Sequence, residues 1–264
     1  MRDRCSIVCS AAPDINFAAH PDAATGPGAQ LIDLPVNSVF HHHAHAAAAT
    51  PMEDLAKDSL VFTWDGVGDG DDGGLWVGEA LLGQPGNWQR FATFRPFHLP
   101  GGERAGREPW RSAAAVCWET GTHWPRIPAT LALLRKAWQR RINSPQTSSA
   151  GRLFDAAAAL TDVCSDASFE GQGPMLLEAL CHGKAHAVNM PLTQNDNGLW
   201  LADWEPLLEI LLDNARSNTE RAAVFHASMA DTILQQARQA RSSQGICEVG
   251  LSGGVFQNRV LVEK

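Results

Sequence analysis

The sequence predicts a mixed α/β protein with a large helical middle section. Two runs indicate the sheet: SLVFTW at 59–64 ends at a Gly/Asp-rich turn, and LWVGEALLG follows as a second strand. Together they predict a β-hairpin, and a hairpin argues for a mixed sheet. A third observation is the helical patterning between about residues 103 and 242, which places most of the helices in the middle of the chain.

The elements follow from local signals along the chain. Residues 1–35 are predicted to be a partly irregular lead-in, and residues 36–264 to form one domain. VNSVF leads as a strand-like run into a helix over the histidines and alanines, which Pro51 ends. Further helices are expected within 103–141, where Pro109, Pro125 and Pro128 interrupt them, and at 148–163, 173–184, 204–216 and 218–241. The last of these is expected to begin with Asn218 or Thr219 as its cap and Glu220 in its first turn.

Composition excludes several classes of protein. The 264 residues are 44% hydrophobic, which is sufficient for one large domain or two lobes. With 21 basic and 29 acidic residues, the net charge of −8 argues against a general nucleic-acid binder. No apolar run reaches the length of a membrane span or a signal peptide, so we expect a cytoplasmic protein. The six cysteines include no C-x-x-C pair and are expected to be reduced thiols.

The stretch HHHAH at 41–45 is the first candidate site. His41 and His45 have H-x-x-x-H spacing, which on a helix brings both imidazoles to one face. Two neutral imidazoles on one face commonly begin a divalent-metal site, and a third ligand is then required. A histidine-rich surface patch or the remnant of a purification tag is the alternative, although the run is internal and interrupted by Ala44.

Asp65 is the candidate third ligand, because it directly follows the strand VFTW. A carboxylate at the C-terminal end of a strand faces the cleft where α/β folds bind ligands. A turn aspartate before Gly66 is the alternative. The segment DGVGDGDDGG holds four aspartates and five glycines, but it lacks the spacing of a calcium loop. Its glycines instead permit a close approach of the backbone to a ligand.

Further polar residues lie where they can contact a ligand. LSGGVFQN predicts a strand, a turn at Gly253 and Gly254, and a helix whose free N–H groups attract phosphate. Asn258, one turn into that helix, would face the same site. Asp155 and Glu178 are carboxylates on apolar helices. Each could accept hydrogen bonds from ribose hydroxyls, or could lie on the solvated face of its helix. Glu79 is expected to accept hydrogen bonds within the hairpin.

Seven stretches, in this order, resemble the HypF carbamoyltransferases of NiFe-hydrogenase maturation. They are HHHAH, DGVGDGDDGGLWVGE, LPGGERAGREPWR, SSAGRLFDAAAAL, SFEGQGPMLLEAL, AAVFHASMAD and LSGGVFQN. HPDAATGPGAQ at 20–30 looks like a weakened form of the segment that precedes the histidines in that family. The resemblance is to the C-terminal, threonylcarbamoyl-transferase-like module of HypF, and it implies a two-lobed ASKHA (actin-like ATPase) fold.

The resemblance implies a metal site beside a nucleotide site. The metal is iron or zinc, and the ligands implied are His41, His45 and Asp65. The residues implied near the nucleotide phosphates and base are Gly253, Gly254 and Asn258. Those implied near its ribose are Asp155, Gly171 and Glu178.

The chemistry implied by the resemblance is carbamoyl transfer. Carbamoyl adenylate, made from ATP in another module, would deliver its carbamoyl group to the C-terminal cysteine thiolate of HypE, and the group would later become a cyanide ligand. A metal can hold the adenylate phosphate and polarise an oxygen, and backbone donors at the glycine turn can stabilise developing charge. The thiolate belongs to the partner, so none of the six cysteines here need be the nucleophile.

From the resemblance, we expect the chain to correspond to one module of the family, truncated at both ends. The acylphosphatase-like, zinc-finger and adenylate-forming modules have no counterpart, so we do not expect this chain to use carbamoyl phosphate by itself. The first strands of the lobe and a further metal-binding aspartate are also expected to be missing, which predicts an unpaired sheet edge. Two alternatives stay open: a small-molecule O-carbamoyltransferase, and a non-catalytic fragment that binds nucleotide or HypE.

Overall fold

The chain folds into a mixed sheet with helices packed on it, as the sequence predicts. The computed structural model describes residues 6–10, 39–50, 56–66, 68, 70, 74–126 and 131–264. The strands in these ranges are β1 (Ser6–Ser10), β2 (Ser59–Trp64), β3 (Gly78–Gln84), β4 (Asn87–Phe94), β5 (Phe97–His98), β6 (Gln146–Thr147), β7 (Leu192–Gln194), β8 (Trp200–Ala202) and β9 (Glu248–Ser252). The α-helices there are α1 (His41–Ala49), α2 (Trp110–Thr120), α3 (Ala132–Gln139), α4 (Ala150–Leu160), α5 (Gln172–Leu180), α6 (Leu207–Leu211), α7 (Asn218–Gln244) and α8 (Arg259–Val262).

Seven strands form the main sheet, in the order β1-β9-β2-β3-β4-β8-β7. β9 is parallel to both β1 and β2, whereas β2, β3 and β4 are successively antiparallel. The hairpin predicted from SLVFTW and LWVGEALLG is therefore confirmed as β2–β3. β1 comes from the N-terminal lead-in and covers the side of β9 opposite β2, so the unpaired edge expected from the sequence does not lie at β9.

Strand β2 is buried on both faces and carries the core on each side. Phe62 and Trp64 point into the larger apolar cluster, which includes residues of α2, α4 and α7. Val61 points the other way, into a small cluster with Ala46 and Ala49 of α1. Alternate residues of a strand face opposite sides, so the continuous apolar run SLVFTW fits a strand covered by helices on both faces.

The helices form where the sequence predicts them, with corrections at their ends. Ser149 caps α4 by accepting the N–H of Arg152, within the range predicted for this helix. The cap of α7 is Ser217 and not Asn218 or Thr219, because Ser217 and Glu220 form a reciprocal capping box. Helix α6 has 5 residues, Leu207–Leu211, and is much shorter than the predicted 204–216.

The sequence signals missed several of the described strands, among them β1, β5 and β6. β4 follows the hairpin and extends the sheet, and β7 and β8 lie inside the section expected to be helical. β8 pairs parallel with β4 and antiparallel with β7, so the helical section also supplies one side of the sheet. Residues 36–38 of the strand-like VNSVF and most of the lead-in lie outside the described residues, and Val39 and Phe40 are not in a strand. Within the described ranges, no helix has the length and apolar character needed to cross a membrane.

Candidate metal and nucleotide site

Two neighbouring parallel strands bring the candidate residues to one edge of the sheet. Thr63 of β2 is paired with Ser252 of β9, so Asp65 and Gly253 leave the sheet side by side. The carboxyl ends of parallel strands are where α/β sheets usually bind ligands. Helix α1 packs over β2 and β9 and presents its histidines to the same edge.

His41, His45 and Asp65 converge as predicted. The Nε2 atoms of the two histidines are 3.0 Å apart, and they lie 3.1 Å and 3.3 Å from Oδ2 of Asp65. The three side chains are largely withdrawn from solvent, and within the described residues they form the one group of three or more such side chains able to hold a metal ion. The H-x-x-x-H spacing on a helix thus achieves the convergence that it predicts.

The geometry of these three atoms fits a divalent metal ion. With bonds of about 2.0–2.2 Å, neighbouring ligand atoms of a tetrahedral zinc site lie about 3.3–3.6 Å apart. The observed separations of 3.0 to 3.3 Å are therefore within a few tenths of an ångström of one face of such a site. Two imidazole nitrogens and one carboxylate oxygen are donors that suit both zinc and iron.

Neighbouring groups hold these three side chains in orientation. Nδ1 of His45 lies 3.0 Å from Oγ of Ser252, and this contact leaves Nε2 of His45 free to face Asp65. The Gly66 N–H donates to Oδ1 of Asp65 at 2.8 Å. Burial alone would raise the pKa of Asp65, but hydrogen bonds from His41, His45 and Gly66 outweigh it and hold that pKa well below its usual range.

His42 has a structural environment and does not join the convergent pair. It is 1% exposed and stacks on Phe40 and against Trp76. Burial lowers the pKa of His42 to about 3, so the ring is neutral. Since His42 and His45 are both buried, the histidine row is not a surface patch.

The glycine turn after β9 lies directly against Asp65. Gly253 has φ of +105°, and a Cβ there would overlap the carbonyl oxygen of Trp64, so only glycine fits. A Cβ on Gly254 would lie 3.1 Å from Oδ1 of Asp65. The turn and the carboxylate are thus adjacent, and phosphate binding at the turn stays a prediction.

Asp155 lies in a buried charge cluster with Arg152. It is 2% exposed, and its Oδ2 is 2.8 Å from Nη1 of Arg152. Nη2 of Arg152 donates to Glu170, whose side chain is 59% exposed. Burial raises the pKa of Asp155 to about 7, against the opposing charge of Arg152. A Cβ on Gly66 would lie 2.8 Å from Nη2 of Arg152, so the cluster touches the residue after Asp65.

The other predicted nucleotide contacts are more dispersed. Gly171 precedes α5 with φ of +85°, and no atom lies within 4 Å of a Cβ placed there. Glu178 accepts the Arg259 N–H at 2.8 Å at the start of α8. Asn258 is the N-cap of α8 and is not inside a helix, which corrects the position expected from the sequence.

Asn258 is held by contacts within the protein. Its Oδ1 accepts the Leu261 N–H at 2.9 Å, and its Nδ2 lies 2.9 Å from Nε2 of His226. His226 is fully buried, and its Nδ1 lies 2.8 Å from the Ala222 carbonyl oxygen. Nδ1 therefore carries the proton, and Nε2 accepts from Asn258. Burial lowers the pKa of His226 to about 4, so the ring that orients Asn258 is neutral.

Glu79 has the structural role expected from the sequence. It is fully buried and accepts from the Gly78 N–H, Arg90, Thr93 and Ser148. Arg90 and Thr93 tie β3 to β4, and Ser148 ties it to the segment that starts α4. The Ser149 hydroxyl then donates to the carbonyl oxygen of Asp65 at 2.9 Å, which fixes the residue after β2.

Comparisons with known proteins assign the chain to a family. Residues 61–264 match the family model described as "Carbamoyltransferase, Kae1-like Domain, second subdomain", and the chain belongs to that family. It is 37% identical to the carbamoyltransferase HypF of Synechocystis sp., over 92% of this chain and 34% of that protein. It is 34% identical to the carbamoyltransferase HypF homolog of Cupriavidus necator, over 92% of this chain and 66% of the relative.

Two solved structures share the fold. A crystal structure of full-length HypF in the phosphate- and nucleotide-bound form matches with a TM-score of 0.84 and 29% identity, over 97% of this chain and 40% of that one. HypF of T. kodakarensis matches with a TM-score of 0.74 and 26% identity, over 93% of this chain and 35% of that one. The resemblance to HypF and the actin-like fold that it implies are thereby confirmed. The chain spans about a third of the length of most of these relatives.

Proposed function

We propose that this chain is the transfer module of a HypF-type carbamoyltransferase. The observation that carries the proposal is the convergence of His41, His45 and Asp65 beside the glycine turn at 253–254, in a chain of the HypF family. The proposed substrate is carbamoyl adenylate, and the proposed acceptor is the C-terminal cysteine of a HypE-type protein. The nucleotide-bound HypF relative supports a nucleotide ligand.

The proposed reaction is an acyl-type transfer to sulfur. The acceptor thiolate attacks the carbamoyl carbon, a C–S bond forms, and the bond from that carbon to the phosphate oxygen breaks. AMP leaves with the electron pair of that bond, and the thiocarbamate stays on the acceptor. An iron or zinc ion held by His41, His45 and Asp65 would supply Lewis-acid stabilisation of phosphate or carbonyl oxygen.

The chain's own residues would bind and orient the nucleotide. The turn at Gly253 and Gly254 lets backbone N–H groups approach the phosphate closely. Ser252 orients His45, and the Gly66 N–H orients Asp65, so the three metal-facing atoms need little rearrangement on binding. Asp155, Gly171, Glu178 and Asn258 stay the proposed contacts to ribose and base.

Three of the described cysteines support an acceptor thiol that comes from the partner. Burial raises the pKa of Cys117 to about 12, and burial likewise raises the pKa of Cys164 and Cys181. A thiolate is the nucleophilic form of cysteine, so these three residues are poor nucleophiles. Cys247 is exposed and follows α7, before β9 begins.

A transfer assay tests the proposed function. The chain would be incubated with a HypE-type acceptor and carbamoyl adenylate. The adenylate would be generated by the adenylate-forming module of a HypF, separated from that protein's own transfer module. We expect the acceptor to gain one carbamoyl group on its C-terminal cysteine, as read by mass spectrometry. Asp65→Asn should abolish the gain, whereas Glu205→Gln, an exposed carboxylate that pairs with Arg95, should not.

Two results would redirect the proposal. Transfer to a hydroxylated small molecule and not to the acceptor protein would favour an O-carbamoyltransferase. Nucleotide and acceptor binding without transfer would favour the non-catalytic fragment.

A separate variant tests the ribose side of the site. Asp155→Ala should weaken nucleotide binding without changing metal content, and unchanged nucleotide affinity would contradict the ribose-side role of Asp155. The cytoplasmic location stays a prediction from the sequence.

A further inference from the structure

A buried arginine lies at the edge of the candidate site. Arg152 is 4% exposed, and it projects from the first turn of α4. Its Nη2 is close enough to Gly66 that an added Cβ there would lie 2.8 Å away. Gly66 is also the residue whose N–H donates to the carboxylate of Asp65. A permanent positive charge therefore sits one residue from the proposed metal site.

The two carboxylates that hold Arg152 differ in their surroundings. On the inner side, Asp155 is 2% exposed and lies 2.8 Å from Nη1, yet the Nη1 group makes no aligned hydrogen bond. On the outer side, Glu170 accepts from Nη2, while its own side chain is 59% exposed. Asp155 has a pKa raised by burial to about 7, so the inner partner neutralises the guanidinium only in part.

Glycines line the space around this arginine–carboxylate pair. A Cβ on Gly66 would lie 3.0 Å from Oε1 of Glu170, and one on Gly106 would lie 3.1 Å from Nη1 of Arg152. Gly66, Gly106, Arg152 and Glu170 come from four of the seven stretches that resemble HypF. Two backbone segments thus approach a charged pair closely enough that any larger side chain would displace it.

This arrangement fits an exchangeable contact better than a fixed ion pair. An unpaired guanidinium is costly to bury, so some anion must always face Nη2. An exposed carboxylate contributes little net stability as a partner, because water and salt compete for it. A phosphate oxygen can replace Glu170 with a charge-assisted hydrogen bond in the same position.

We propose that Arg152 binds a phosphate oxygen of the nucleotide and that Glu170 occupies this position until the phosphate displaces it. This inference rests on the proposed nucleotide-binding function. Asp155 then holds the guanidinium from the inside throughout the exchange. Glu170 acts as a positioning residue, which keeps Arg152 paired in the absence of ligand and leaves when the ligand enters.

The test compares inorganic phosphate, AMP and adenosine by isothermal titration calorimetry on chelator-treated full chain. Glu170→Gln removes the competing charge from an exposed position, so we expect phosphate and AMP to bind about threefold more tightly, with adenosine unchanged. Arg152→Gln should weaken phosphate and AMP binding at least about tenfold and leave adenosine unchanged. Arg152→Lys retains the charge and should be intermediate, which keeps the test valid if the glutamine variant is unstable. Glu205→Gln is the matched control and should bind all three ligands as the wild type does.

The outcomes separate this inference from the proposed function. Unchanged or weaker phosphate binding in Glu170→Gln overturns the exchange. Equal losses of AMP and adenosine in the Arg152 variants also overturn it, because they indicate a general structural role. If AMP binds the wild type no more tightly than inorganic phosphate does, while phosphate binding responds to the variants as expected, the exchange holds and the nucleotide assignment is wrong.

Discussion

The Ser252 hydroxyl provides a sensitive test of how the candidate metal site is oriented. Ser252 is fully buried, and its Oγ is 3.0 Å from Nδ1 of His45. For Nε2 of His45 to face a metal with its lone pair, Nδ1 must carry the proton and donate it to that oxygen. Ser252→Ala removes the acceptor, so the Nδ1–H is left buried without a partner.

We expect Ser252→Ala to bind the metal more weakly and to have a slightly lower free energy of unfolding. Removing a partner of a metal-bound histidine typically costs 10- to 100-fold in affinity. Because Ser252 offers a single neutral acceptor, we expect about tenfold, equivalent to about 1.4 kcal/mol. The metal-free chain should lose about 1 kcal/mol of stability for one buried hydrogen bond.

The assay is a competition titration of zinc between the chain and a chromogenic chelator, with thermal unfolding of the metal-free chain in parallel. Ser112→Ala is the matched control: Ser112 is also fully buried, but its Oγ has no hydrogen-bond partner among the described residues. That variant should bind zinc as tightly as the wild type. Wild-type zinc affinity in Ser252→Ala would refute the assigned orientation of His45.

Three further predictions concern stability and protonation. His45→Ala should lose metal but keep α1 and its cooperative unfolding, because alanine is the strongest helix former; a large fall in far-ultraviolet circular dichroism would contradict this. Burial raises the pKa of Asp155 from 3.8 to about 7, so the folded chain keeps a proton that the unfolded chain releases, and stability should fall as the pH rises across that interval. In Asp155→Asn, the free energy of unfolding measured with urea should depend less on pH across this interval. An unchanged pH dependence would contradict the role given to Asp155. Burial lowers the pKa of His226 from 6.5 to about 4, so stability should fall as the pH drops across that range; His226→Gln should remove this acid sensitivity, and a retained slope would exclude His226 as its source.

Much of the fold was predictable because its strongest elements carry local signals. The continuous apolar run of β2, the alanine-rich α1 and α4, and the 27 residues of α7 each show their structure within one window of sequence. β7 and β8 have 3 residues each, too few for any periodicity to emerge. β4 begins with NWQR, whose polar residues hide an extended segment that only its neighbours in the sheet stabilise.

The candidate site likewise has parts that the sequence predicts and parts that it does not. The spacing of His41 and His45 on a helix is a local signal, and so is the position of Asp65 after an apolar strand. The contact between Arg152 and Glu170 spans 18 residues, and that between His45 and Ser252 spans 207. Local sequence patterns do not reveal contacts between residues so far apart in the chain. These contacts can be recognised only in the folded structure, where the segments come together. The only sequence signal for Arg152, Glu170 and Ser252 was that they lie in SSAGR, SFEGQ and LSGG. These stretches carry the resemblance to HypF, but the resemblance assigned no role to the three residues.

Metal content is the most direct test of the central claim, which is that His41, His45 and Asp65 hold one divalent ion. The purified chain would be measured by elemental analysis, with and without added ATP, beside His41→Ala and His45→Ala. The account predicts about one iron or zinc per chain in the wild type, which both substitutions remove. A wild-type chain without metal under either condition, or variants that keep a full complement, would contradict it.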